Sequence, residues 1–250
     1  MIKKLLCGWI GMVMISGFLC ADMTLDDVVA KCIEASGGQD AYKSINTLKI
    51  TAKMHVQGME LPVIAYVKKP DMGRIEVVFQ GMKIITAFNA TMGWSINPMQ
   101  GETEAKKMPE EAFVRLKEGL QIDHDFIDFQ KRGHTLELMG KEEMDGTPVF
   151  KLKMTKKSGD ISYLFVDAEY FLVIKQISKV KRGENEYESE EIFGDYREVS
   201  GIMMAHSTET KMSGKTVQQS TIEKVEVNPT LEDTLFQMPE KKAAETTPDK

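Results

Sequence analysis

The sequence has little cysteine and no excess of positive charge. Of its three cysteines, Cys7 and Cys20 lie within the first 21 residues, which leaves Cys32 alone in the rest of the chain. An intramolecular disulfide is therefore excluded for residues 22–250. Lysine and arginine number 32 against 38 aspartate and glutamate residues, a formal net charge of −6. Because nucleic-acid binding needs clustered positive charge in excess, this balance argues against a nucleic-acid partner.

The chain also lacks the motifs of common catalytic sites. It contains no G-x-S-x-G nucleophile elbow and no H-E-x-x-H zinc motif. Ser213–Thr216 is similar to the end of a phosphate-binding loop, but Glu209 stands where that motif needs glycine, so we predict a hairpin turn there. The sequence therefore predicts a protein that is not an enzyme, with no catalytic residues and no cofactor.

One short segment, Asp123–Asp128, collects three aspartates and His124. Neighbouring residues on a helix or strand point in different directions, so these side chains do not readily share one metal ion. We predict a solvated polar segment here and no metal site.

The first 21 residues have the pattern of a secretory signal peptide. Lys3 and Lys4 precede an uncharged run, Leu5–Leu19, and polarity resumes at Asp22. The run is too short for a comfortable membrane span and is typical of a signal peptide. We therefore predict that residues 1–21 are removed and that the mature protein is exported to the periplasm.

Two alternatives remain open for this segment. It could stay attached as an uncleaved membrane anchor. Cys20 could instead be the lipidated first residue of a lipoprotein, which would tether the protein to a membrane. Such a site favours a small residue before the cysteine, and Leu19 is not small.

The mature chain begins with an amphipathic helix, predicted over Thr24–Ser36 and ended by Gly37-Gly38. Thr24 suits the N-cap position. Helical spacing places five apolar residues on one stripe: Leu25, Val28, Val29, Cys32 and Ile33. We expect this stripe to cover the apolar face of the strands that follow directly, with Cys32 as a buried structural thiol.

Strands dominate the rest of the sequence. Thr47–Gln57 alternates strictly between polar and apolar residues, and three more strands follow across short turns: Glu60–Lys69, Arg74–Gln80 and Lys83–Asn89. A short strand carrying Trp94, a loop over 99–107 and a helix over Pro109–Leu120 come next. Seven further strands are predicted between His134 and Val227, and Thr230–Leu235 is predicted as a helical turn.

We see no linker that would divide the chain. The predicted organisation is one domain over residues 22–239 and a disordered tail over 240–250, which is charged and rich in small residues. The predicted fold class is mainly β with helices (α+β). A single curved antiparallel sheet would hold the helices in its hollow.

Several short motifs follow one another in an order that resembles the LolA-like outer-membrane lipoprotein-sorting proteins. They are Gly37-Gly38, Ala41–Ile45, Thr47–Thr51, Gly93-Trp94, Asn97-Pro98, Asp145-Gly146, Val149–Lys153, Ser158–Asp160, Val166-Asp167, Ile222–Pro229, Phe236 and Pro239. The resemblance covers most of the mature chain. It implies an unclosed β-barrel with a helical lid, whose hollow holds the acyl chains of lipoproteins that cross the periplasm. Relatives of that fold carry other lipids or act as envelope sensors.

The resemblance and the apolar alternation lead to two hypotheses. In the first, the protein is a monomeric carrier or chaperone that binds the acyl chains of lipids or lipoproteins. The expected lining residues are Leu48, Ile50, Met54, Val63, Ile84, Phe88 and Trp94 on the sheet and Val29 and Ile33 on the lid. In the second, the hollow is filled by side chains, and the protein is a sensor that binds lipid or envelope membrane proteins. An open cavity would favour the first hypothesis.

Overall fold

The computed structural model describes residues 23–182 and 185–240, with only the backbone described at residues 181 and 182. The predicted signal peptide, Cys20 and residues 241–250 of the predicted tail lie outside these ranges. Cleavage, lipidation and tail disorder therefore stay predictions.

Thirteen described strands form one antiparallel sheet. In chain order they are β1 (Thr47–Val56), β2 (Met59–Lys68), β3 (Met72–Phe79), β4 (Met82–Phe88), β5 (Gly93–Asn97), β6 (Glu102–Lys107), β7 (Thr135–Met144), β8 (Thr147–Thr155), β9 (Ile161–Asp167), β10 (Val173–Arg182), β11 (Asn185–Val199), β12 (Ile202–Met212) and β13 (Lys215–Val227). The predicted loop over 99–107 is wrong, because β6 occupies most of it and pairs with β5. Four of its six residues are charged and only Ala105 is apolar, so no apolar alternation marked a strand.

The first and last strands of the chain pair with each other in the middle of the sheet. Its strand order is β6-β5-β4-β3-β2-β1-β13-β12-β11-β10-β9-β8-β7, so β6 and β7 are the two ends and do not pair with each other. Two runs of sequential hairpins are joined where β1 pairs with β13. Asn228 links the two strands at this junction, because its Oδ1 accepts hydrogen bonds from the backbone N–H groups of Asn46 and Thr47. We name this link the clasp. The predicted single antiparallel sheet, left open as an unclosed barrel, is confirmed.

Strand register divides the residues between two faces. Leu48 lies opposite Val67, Val67 opposite Gly73 and Gly73 opposite Phe88, so these residues share one face, which we name the inner face. The opposite, outer face carries Lys49, Tyr66, Arg74, Ala87 and Trp94, which align in the same way. Every later assignment of a side chain to a face follows this register, because successive residues of a strand alternate between faces.

Three α-helices precede or interrupt the strands: α1 (Leu25–Ala35), α2 (Gln39–Ser44) and α3 (Glu110–Gly119). Helix α1 has a capping box in which Thr24 and Asp27 satisfy each other's backbone N–H groups. Its buried residues Val28 and Cys32 pack against β8 and β9, where Leu152 and Leu164 belong to the same apolar cluster. The expectation that α1 covers the strands directly after it is therefore wrong; it covers the other end of the sheet.

A C-terminal strap, residues 231–237, crosses the outer face of β2–β5. Lys68 donates to the carbonyl of Leu231, and Arg74 donates to that of Leu235. Trp94 Nε1–H donates to the carbonyl of Phe236 over 3.0 Å. The side chains of Trp94 and Phe236 are both fully buried. The strap therefore covers part of the outer face and buries Trp94 there.

Candidate functional site

The inner face is covered by an irregular segment between α3 and β7, residues 120–133, which we name the cover segment. Ile122, Phe126 and Ile127 are its buried side chains. Ile122 and Ile127 pack with Tyr42 of α2, whereas Phe126 packs with the cluster around α1. The cover segment therefore ties the two apolar clusters of the inner face together.

The prediction of a solvated polar segment over Asp123–Asp128 is wrong in its centre. The His124 ring lies between the rings of Tyr42 and Phe126, with centroid distances of 5.9 and 5.0 Å. Burial lowers the pKa of His124, and the positive charge of Arg132 lowers it further against the opposing effect of Asp125. His124 is thus a neutral packing residue of the cover segment.

Arg132 fastens the end of the cover segment to its beginning. One guanidinium nitrogen donates to the carbonyl oxygens of His124 and Asp125. The other two, Nε and Nη1, are buried and have no hydrogen-bond partner within the described residues. These bonds close a loop of about ten residues without secondary structure, which explains how it can keep a fixed shape over the sheet.

Beneath the cover segment lies a cavity of about 660 Å³. Its apolar walls come from both halves of the sheet and from the cover, and include Leu48, Ile50, Val67, Phe126, Leu164, Val173, Phe193 and Ile202. Tyr42 of α2 also lines it. Because its lining residues come from strands far apart in sequence, the cavity is a product of the sheet's overall topology.

One side of this cavity is polar. Gln176 and Ser178 of β10, Ser189 and Glu191 of β11 and Thr208 of β12 line it, and we name these five residues the polar wall. Burial raises the pKa of Glu191, an effect that Lys156 opposes and Asp125 reinforces. The cavity therefore offers apolar surface and hydrogen-bonding groups at the same time.

A second cavity, of about 1040 Å³, lies between α3, the turn after β2 and the cover segment. Phe88, Phe113 and Leu120 contribute its apolar lining. Ion pairs join elements across its border: Lys69 to Asp123 at 2.6 Å and Lys117 to Asp71 at 2.8 Å. Val67, Gln121 and Ile122 line both cavities, so the cover segment separates them.

The structure brings together only some of the predicted lining residues. Leu48 and Ile50 line the smaller cavity and Phe88 the larger one. Met54, Val63 and Ile84 share the inner face with them, as register shows, but they lie towards the hairpin ends and outside both linings. Val29 and Ile33 of α1 pack against the apolar cluster on β8 and β9 and line neither cavity.

The prediction that Trp94 lines the hollow is wrong. Trp94 lies opposite Ala87, whereas Phe88 lies opposite Gly93, so Trp94 and Phe88 occupy opposite faces of the sheet. Trp94 is buried beneath the strap, and the guanidinium of Arg74 lies 5.6 Å from its ring centroid. Its burial is explained by the strap and not by a ligand.

Sequence reasoning missed the polar wall and the cover segment. The polar wall could have been noticed because the first half of β11 is polar at nearly every position, as in Glu190-Glu191, and because β10 places Gln176 and Ser178 on one face. A strand that lacks an apolar face cannot be filling an apolar core. The cover segment gives no comparable signal, since its three buried residues follow no regular period.

Three further observations concern the Cys32 thiol, metal binding and membrane-spanning helices. Cys32 is a buried thiol, as predicted, and burial raises its pKa to about 12. Residues 23–182 and 185–240 contain no group of three histidine, cysteine or acidic side chains placed to hold a metal ion. Among the helices of those ranges, none is both long and apolar enough to cross a membrane.

Comparison with known proteins gives similar folds but no close relative. No family model and no curated protein sequence matches the chain. A domain from Vibrio parahaemolyticus assigned to outer-membrane lipoprotein sorting has 12% identity and a TM-score of 0.58, covering 84% of this chain and 94% of its own. A LolA superfamily protein from Nitrosomonas europaea has 12% identity and a TM-score of 0.58, covering 86% of this chain and 98% of its own.

A DUF1329 family protein from Desulfovibrio piger is similar to the same extent, with 13% identity, a TM-score of 0.57 and coverage of 85% of this chain and 96% of its own. At this level of identity the likeness establishes the fold alone. The chain therefore has a LolA-like fold, as the sequence motifs predicted.

Proposed function

We propose that the protein is an exported, non-enzymatic carrier that holds an acyl chain of a lipid or lipoprotein beneath its cover segment. The observation that carries this proposal is the cavity of about 660 Å³ between the cover segment and the inner face. Its volume lies within the range of roughly 300–1,000 Å³ that is typical of small-molecule sites. The LolA-like fold gives independent support, because one protein of that fold is assigned to lipoprotein sorting.

Hydrocarbon burial can supply the affinity. Each methylene group moved from water into an apolar site contributes about 0.8 kcal/mol, so a long acyl chain needs no charged anchor. The apolar side of the cavity, with Leu48 and Ile50 on one half of the sheet and Leu164 on the other, provides such a site. Release would require movement of the cover segment, which is held mainly by Ile122, Phe126 and Ile127.

An inner-face variant with a matched control tests the proposal. Ile50→Glu places a charge in the cavity wall, and Thr51→Glu places the same charge on the adjacent residue, which faces outwards. An unpaired charge in an apolar site costs several kcal/mol, so Ile50→Glu should weaken binding of a fluorescent C16 acyl probe by about a hundredfold. Thr51→Glu should bind like the unmodified protein. Equal binding by two folded variants would refute the assignment.

Native mass spectrometry identifies the cargo. The protein should be purified from the envelope of the cell that makes it, and its co-purifying molecules extracted. A bound lipid or acylated peptide supports the carrier. The mass of the N-terminus decides between cleavage near Asp22 and lipidation at Cys20, and thus between a free and a tethered carrier.

A further inference from the structure

The inner face changes from apolar to polar between β9 and β10. Leu152 lies opposite Leu164, Leu164 opposite Gln176 and Gln176 opposite Glu191, so one row across four strands passes from two leucines to an amide and a carboxyl group. The next row passes from Ser162 to Ser178 and Ser189. The polar wall is therefore a continuous patch in the sheet.

Within the polar wall, Gln176 and Ser178 of β10 are already engaged in hydrogen bonds. Gln176 Nε2–H donates to Ser178 Oγ over 2.8 Å, and Ser178 Oγ lies 3.3 Å from Ser162 Oγ. Glu191 differs. No hydrogen bond or ion pair joins its carboxyl group to any residue of the described ranges 23–182 and 185–240.

The adjacent residue provides an internal comparison. Glu190 faces outwards and forms an ion pair with Lys175 at 2.9 Å. A carboxyl group that faces a cavity without a hydrogen-bond partner loses hydration, and for Glu191 the charge of Lys156 offsets only part of that loss. The raised pKa of Glu191 is consistent with that loss. Glu191 therefore costs stability, and a ligand that donates hydrogen bonds to it would recover the cost.

We propose that the smaller cavity binds a single-chain amphiphile whose head is uncharged and carries hydroxyl or amide hydrogen-bond donors, and that Glu191 and the polar wall receive this head. The hydrocarbon part of the same molecule lies against Leu48, Ile50 and Leu164. This inference rests on the proposed function and narrows its ligand class.

The chemistry of the wall excludes other heads. A fatty-acid carboxylate has no hydrogen-bond donor for Glu191 and would be repelled by its negative charge, a repulsion that Lys156 in the same cavity lining reduces but that a neutral head avoids. A methyl ester has the same chain but no donor, so it leaves Glu191 unpartnered. A glycerol head offers two hydroxyl donors and no charge, and therefore fits.

Three C16 probes separate these cases: monopalmitoylglycerol, palmitate and methyl palmitate, each titrated into the mature protein below its critical micelle concentration. We expect monopalmitoylglycerol to bind at least about tenfold more tightly than either of the others, since a hydrogen bond to a charged group contributes enough for that factor. Glu191→Leu should weaken monopalmitoylglycerol binding by about tenfold and leave methyl palmitate binding unchanged. Glu190→Gln is the matched control and should change neither.

A stability measurement distinguishes a ligand-binding role from a structural one. Because no residue of the described ranges forms a hydrogen bond or ion pair with Glu191, Glu191→Leu should leave the unfolding midpoint of the ligand-free protein unchanged or raise it. A lowered midpoint together with equally weakened binding of all probes would make Glu191 structural and overturn the inference. Equal binding of the three probes by the unmodified protein would also overturn it, while the carrier proposal would stand. Failure of all three to bind would count against the carrier itself.

Discussion

Replacing Phe236 with alanine should release the C-terminal strap from the outer face. The Phe236 side chain is fully buried, and its carbonyl accepts the hydrogen bond from Trp94 Nε1–H. Truncation of a buried phenylalanine costs about 3–5 kcal/mol, because apolar contacts are lost and a cavity is left. We therefore expect the free energy of unfolding to fall by about that amount.

The chain offers a direct probe of the strap. Its two tryptophans are Trp9, in the predicted signal peptide, and Trp94, so the mature protein has a single indole, whose N–H donates to the backbone carbonyl of Phe236. Equilibrium unfolding in urea followed by circular dichroism gives the free energy, and the emission maximum of Trp94 in the absence of urea reports exposure. Phe236→Ala should shift this emission to longer wavelength while the sheet signal persists.

Asp233→Ala is the control within the same strap. Asp233 pairs with Lys68 at 2.7 Å, but its side chain is 60% exposed. Exposed ion pairs contribute about 0–1 kcal/mol, so this variant should be nearly as stable as the unmodified protein and emit at the same wavelength. A loss below 1 kcal/mol for Phe236→Ala, with unchanged emission, would refute the argument that the strap is held by aromatic burial.

Three further predictions follow from individual buried groups. Burial acts to raise the pKa of Glu76, but hydrogen bonds from Lys83 and Arg74 outweigh it and lower the pKa below its usual 4.5. The stabilisation from Glu76 is therefore complete above pH 4.5 and is lost as the pH falls through the lower folded value, so acid titration of Glu76→Gln should show a shallower loss of stability. Cys32 should resist a thiol reagent in the folded protein and react once urea unfolds it; fast labelling without urea would contradict its burial. Leu152→Ala should cost about 2–5 kcal/mol in urea unfolding, and a smaller cost would mean that α1 does not pack there as described.

The sheet was predictable from the sequence where alternation was strong. The strands from Thr47 to Phe88 and from Thr147 to Val227 keep one apolar face or clear turns, and their bounds agree with the structure within a few residues. β6 was missed because Glu102–Lys107 has no apolar residue other than alanine. Helix α2 has only six residues, too few to show a helical stripe.

Contacts between residues far apart in the sequence were harder to predict. The strand that carries Trp94 is five residues long, and its pairing with β4 decides which side chains face the hollow. Counting alternate residues along the sequence does not reveal that pairing. The surface that α1 packs against was predicted wrongly. Proximity along the chain suggested β1–β4, but the buried residues of α1 contact the apolar residues of β8 and β9. The polar wall escaped prediction for a similar reason: four strands must align before its residues meet.

The clasp between β1 and β13 has a consequence for the order in which the molecule is made. Residues 46 and 228, which the clasp joins, are 182 positions apart. Each run of hairpins can pair locally, but β1 and β12 keep bare hydrogen-bonding edges until the last strand arrives. Such distant contacts form slowly, because a long loop must close first. A chain emerging from its amino end would therefore remain two open sheets until its final residues are free, and would need protection from edge-to-edge association throughout that interval.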